Sequence, residues 1–63
     1  MPSAVRYAVV KALLERHGWA HVRTKGSHHY FVKAGDRPWS VPVHNGMVKY
    51  AYYRQIQKYV GEG

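Results

Sequence analysis

The 63-residue sequence contains no cysteine, so neither a disulfide framework nor a thiolate metal site can support it. Acids are scarce as well: Glu15, Asp36 and Glu62 stand against ten lysines and arginines, for a formal net charge of +7 at pH 7. No apolar run is long enough to form a membrane-spanning helix. The N-terminus lacks the basic-then-apolar layout of a signal peptide, which leaves the cytoplasm as the expected location. Neither a phosphate loop, a nucleotide fingerprint nor a serine-nucleophile motif is present. The five histidines show no recognisable ligand spacing, so neither a metal nor another cofactor is expected. No repeat, low-complexity tract or linker divides the chain, and residues 1–63 read as a single domain.

A chain this short buries only roughly 60% of its unfolded surface, so its core must be small. The six tyrosines, two tryptophans and one phenylalanine supply much of the apolar area available to it. The cations are spread along the chain rather than gathered in a block, which argues against a disordered basic tail. Such a charge attracts polyanions, and nucleic acid is the commonest of these in a cytoplasm. An acidic protein is the other class of partner that this balance suits.

The pattern of apolar residues changes twice. Ser3 is a candidate cap for a helix running to about His17, with Gly18 as its stop signal. Tyr7, Val10, Leu13 and Leu14 fall on one side of that helix, with Lys11, Glu15 and Arg16 largely opposite. Val5, Ala8, Val9 and Ala12 form a second, thinner stripe that is ordinary surface or a partner contact. From Trp19 to Lys25 the period becomes two, with Ala20, Val22 and Thr24 alternating against His21, Arg23 and Lys25. Gly26-Ser27 is a two-residue hairpin signal, and His28 to Lys33 is its β-prone return strand. Trp39 to Val43 reads as a third short strand, in which Pro42 favours an edge position or a strand end. The stretch from about Val48 to Val60 predicts a second helix stopped by Gly61, with Tyr53, Ile56 and Val60 on one face. The expected architecture is α+β in the order α-β-β-β-α, a three-stranded antiparallel meander with both helices on one face.

Function is most legible in Lys25-Gly26-Ser27-His28-His29-Tyr30-Phe31. An imidazole can exchange protons near neutrality, and beside cations that chemistry suits a phosphodiester. Strand alternation separates the two histidines: His28, Tyr30 and Val32 share one face, and His29, Phe31 and Lys33 the other. Each histidine taken alone is also consistent with a polar residue at a hairpin shoulder. His44, after Val41-Pro42-Val43, reads as a loop residue, a phosphate contact or a second proton-transfer group. His17 sits where a cation would meet the negative end of the first helix. Tyr50 and Tyr52 are candidates for an exposed role beside Arg54 and Lys58, through base stacking.

The segments Gly18-Trp19, Val22 through Phe31 and Val41-Pro42-Val43-His44 together resemble the HicA (YcfA-like) family of toxin–antitoxin mRNA interferases. Leu14-Glu15-Arg16-His17-Gly18 and Tyr53-Arg54-Gln55-Ile56 through Gly61 extend that resemblance over nearly the whole chain. It implies a fold like that of double-stranded-RNA-binding domains and metal-independent endoribonuclease activity on mRNA. It also implies silencing by a HicB-like antitoxin protein. The catalytic histidine of the family's Gly-Ser-His turn corresponds to His28, with His29 and His44 as secondary candidates. Arg23, Lys25, Ser27 and Lys33 are the expected RNA contacts, Arg23 and Lys25 at the scissile phosphate. One departure is plain: where the family usually has Lys-Gly-Thr before its last helix, this chain has Tyr50-Ala51-Tyr52. Two other readings suit the same residues, a non-catalytic RNA-binding module of this fold and a basic protein-interaction module.

Overall fold

A computed structural model describes residues 3–62. Strand β1 (Ala4–Arg6) leads into helix α1 (Tyr7–Arg16), followed by strands β2 (Ala20–Lys25), β3 (His28–Val32) and β4 (Trp39–Pro42). A short strand β5 (Met47–Lys49) then feeds helix α2 (Tyr50–Val60). Strands β2, β3 and β4 form an antiparallel sheet in that spatial order, the expected three-stranded meander. Pro42 lies on β4, an edge strand, where a missing N–H costs least. Among the described residues no helix is long and apolar enough to cross a membrane.

The core explains why both helices lie on one face of the sheet. Val10, Leu13 and Leu14 of α1 and Ile56 of α2 are buried together with Phe31 and Val41 from the sheet, plus Trp19 and Val48. The α1 stripe expected from its periodicity is therefore the buried one. The thinner stripe of Ala8, Val9 and Ala12 is exposed. Around this centre the Tyr59 ring approaches both tryptophans, at centroid separations of 4.6 Å from Trp39 and 6.0 Å from Trp19. Gly18 and Gly61 adopt the left-handed conformation just beyond α1 and α2, as helix stops commonly do.

Two expectations at the helix starts give way to one feature. Ser3 does not cap α1, because Ala4–Arg6 pairs in antiparallel register with Met47–Lys49, Val5 facing Val48. Val5 is thus a strand residue, and α2 begins at Tyr50 rather than Val48. Neither helix has a side-chain cap at its first turn. Instead the Tyr7 amide donates to the Gly46 carbonyl at 2.8 Å and the Tyr50 amide to the Ser3 carbonyl at 3.0 Å. Each helix thus has one otherwise orphaned amide satisfied by the backbone beside the other. The signal for β5 lay in Asn45-Gly46, both at positive φ, the pair that two-residue hairpin turns favour. His44 and Met47 flank it and exchange backbone hydrogen bonds of 2.9 Å in both directions.

Phe31 is fully buried at the centre of the sheet's covered face. Phe31→Ala should cost about 3–5 kcal/mol, against a total of about 3–9 kcal/mol expected for a domain of this length. Urea denaturation should therefore show little or no folded baseline for Phe31→Ala, whereas Phe31→Leu keeps a cooperative transition.

Candidate nucleic-acid interface

The hairpin of β2 and β3 positions every histidine singled out by the Gly-Ser-His-His motif. Its turn depends on Gly26, which takes φ +59°, a conformation that costs a non-glycine residue roughly 1–2 kcal/mol. Lys25 and His28 consequently face each other across the turn, a cross-strand separation of about 4.5–5.5 Å between Cβ atoms. The ladder is irregular further down. His21 pairs with Phe31 and Arg23 with Tyr30, leaving Val22 as an extra residue in a β-bulge. The simple alternation expected for β2 is therefore broken. Thr24 pairs with His29, so His21 and Thr24 share the helix-covered side while Arg23 and Lys25 share the other.

The uncovered face carries Arg23, Lys25, His28 and Tyr30. Arg23, Lys25 and His28 are exposed and Tyr30 is half-buried, with the Arg23 guanidinium carbon 4.8 Å from the Tyr30 ring centroid. No acidic residue occurs in β2, β3 or β4. Glu62 is instead engaged by Arg16 at 3.1 Å and by His17 Nε2 at 2.6 Å. His17 thus contacts a carboxylate beyond the end of α1, and the Arg16 hydrogen bond foremost holds the Glu62 carboxyl below its usual range. Asp36 accepts a hydrogen bond from the Tyr59 hydroxyl. Among the described residues Arg16 is the only lysine or arginine in an ion pair, so the cations of the open face are left to attract an external anion.

His29 lies on the opposite side. Its ring centroid is 4.3 Å from that of Tyr7 and 5.3 Å from that of His21. The Thr24 hydroxyl sits between the two imidazoles, 3.0 Å from His21 Nε2 and 3.2 Å from His29 Nδ1. It can donate to one and accept from the other. Burial, then His21 and Lys11, hold the His29 imidazole below its ordinary value of 6.5. No group of three or more His, Cys, Asp or Glu side chains among the described residues is arranged to hold a metal ion.

The remaining sequence candidates are more scattered. Ser27 is half-buried in the turn, and its carbonyl accepts from the Val43 amide at 2.7 Å. That bond brings the end of β4 to the hairpin tip, with exposed His44 one residue beyond. Lys33 follows the far end of β3, with its aliphatic stem beside Gly18, about 16 Å from His28 along the strand. It is thus apart from the Lys25–His28 pair. Tyr50 and Tyr52 are half-buried, and the Tyr52 hydroxyl donates to the Ser40 carbonyl. Sequence periodicity missed the association of His21 and Tyr7 with His29. The bulge has no signature in the alternating residues of β2, and Tyr7 comes from a separate element.

A family model described as the HicA toxin of bacterial toxin–antitoxin systems matches residues 8–61. No curated protein gives a significant match to the chain.

The depressed His29 pKa has a definite consequence for stability. As pH falls, the unfolded chain takes up a proton at this imidazole before the folded chain does. The contribution of neutral His29 is therefore complete above the ordinary value of 6.5 and is lost as pH falls through the lower folded value. Urea midpoints measured from above to below 6.5 should decline, and the decline should flatten in His29→Gln. The Glu62 contribution belongs to a separate window, below the ordinary carboxyl value of 4.5.

Proposed function

The chain belongs to the HicA toxin family of bacterial toxin–antitoxin systems, and from that membership we propose that it is an endoribonuclease whose catalytic residue is His28. The observation that carries this reading is the pairing of His28 with Lys25 across the turn on a sheet face without acids. A phosphodiester drawn to that face meets a proton-transfer group and a cation together.

In the proposed reaction the His28 imidazole takes the proton of the ribose 2′-hydroxyl. The freed oxygen attacks the adjacent phosphorus, forming a cyclic phosphate as the bond to the 5′ oxygen breaks. The departing oxygen takes a proton from water, and His28 returns its own to solvent. Lys25 offsets the charge that gathers on the phosphoryl oxygens, where an ammonium is worth more in the transition state than in the ground state. Ser27 holds the turn through its carbonyl bond to Val43 and so fixes where the β3 shoulder sits. His29, packed against Tyr7 and His21, supports the hairpin from behind. His44 borders the same tip and is the second group to examine for proton transfer.

The partners that fit are mRNA as substrate and a HicB-like antitoxin as inhibitor. An antitoxin presenting carboxylates to the open face would compete with RNA for the cations there. Arg23 and Lys25 contribute to that field directly, and Lys33 from a distance.

The test is cleavage of RNA by the purified protein with a chelator present. The parent should cut, and His28→Ala should lose about 10²–10⁴-fold in rate while still binding RNA. RNA that the parent binds but leaves intact would make this a non-catalytic module. Equal cutting by His28→Ala would remove the assigned role. Binding should also weaken steeply as salt rises, since phosphate contacts release counterions.

A further inference from the structure

We propose that the Arg23–Tyr30 pair is a base-stacking platform beside the scissile phosphate, so that the substrate is taken in single-stranded form. The inference rests on the RNA-cleaving reading of His28 and adds the state of the RNA and the residues that grip its base.

The geometry begins with the two-residue turn at Gly26-Ser27. The regular register running back from it, through Lys25–His28 and Thr24–His29, sets Arg23 opposite Tyr30, just before the bulge at Val22. The guanidinium carbon lies 4.8 Å above the tyrosine ring; the arginine is exposed and the ring beneath it half-buried. A planar cation backed by an aromatic ring offers a flat outer surface on which an unpaired base can stack, with no demand for a particular base. Tyr30 is two residues from His28 on the same face, about 6.6 Å along the strand. That is within reach of a nucleotide's base when its own phosphate is at Lys25 and His28. The two cations of β2 thus divide the work: Lys25 holds phosphate, and Arg23, committed to the Tyr30 ring, holds a base.

Stacking itself argues for an unpaired strand. Within a duplex the base faces are already covered by their neighbours and closed to a protein platform.

The experiment uses a short single-stranded RNA, methylated at its 2′ oxygens against cleavage and carrying one fluorescent adenine analogue whose emission drops on stacking. The parent should quench it on binding. Tyr30→Leu, which keeps an apolar strand residue, and Arg23→Lys, which keeps the charge but not the plane, should each weaken binding about 5- to 150-fold. Their dependence on salt should match the parent's, whereas Lys25→Gln should lower the salt slope by about one phosphate contact. Tyr30→Phe should bind like the parent. The platform is refuted if Tyr30→Leu and Arg23→Lys both bind as tightly as the parent, or if a duplex of the same sequence competes as well as the single strand. Because this probe cannot be cut, quenching without cleavage of ordinary RNA would sink the nuclease reading alone. Cleavage without quenching would sink the platform alone.

Discussion

The pairing of β1 with β5 is the constraint on which the rest of this small structure depends. It joins residues 4–6, at the start of the described chain, to residues 47–49, directly before α2. Each strand runs directly into a helix, so pairing the strands brings the starts of α1 and α2 together. The backbone then supplies an acceptor to the first amide of each helix. With the helices held side by side, one apolar surface made from Val10, Leu13, Leu14 and Ile56 can close over Phe31 and Val41. A chain with no cysteine and so little core gains from this economy, because the same few residues cap the helices and align them.

Covering one face of the sheet makes its two sides chemically different. On the covered side, His29 is packed against Tyr7 and His21 and held toward its neutral form. On the other, His28 stands in solvent with Lys25 and the Arg23–Tyr30 pair. The three acids of the chain occur in α1, in the turn after β3 and beyond α2, and leave β2, β3 and β4 without a carboxylate. An anion approaching the open face thus meets His28, while His29, adjacent in sequence, is half-buried on the other side.

The chain's membership of the HicA toxin family is the setting in which that asymmetry is read. Among the described residues there is no pocket, so a polyanion drawn to this surface would depend on long-range attraction followed by local positioning. The hairpin offers both within a few residues, with the proposed proton-transfer group at the tip and an aromatic support further down. Its inner face, tied through Thr24 and the two imidazoles, gives that hairpin a firm backing.

Much of this was legible in the chain. Gly26-Ser27 and the β-formers after it determined the hairpin, because a turn glycine and a period of two act locally. The same period determined that His28 and His29 must part company, and the apolar spacing of α1 determined which of its stripes is buried. The start of α2 falls at Tyr50 rather than about Val48 because the turn at Asn45-Gly46 opens a strand at Met47–Lys49. Other features belong to tertiary structure alone. The β1–β5 ladder requires two segments some forty residues apart in sequence to meet, and three-residue strands have too little pattern to announce a partner. The bulge at Val22 depends on how β2 must bend to lie against β3, and it decides that His21 sits opposite Phe31 and joins His29. Sequence by itself determined the kinds of residue at the tip of the hairpin. Only the folded chain decided which of them share a face, since that choice rests on register, and register is settled by packing across the whole sheet.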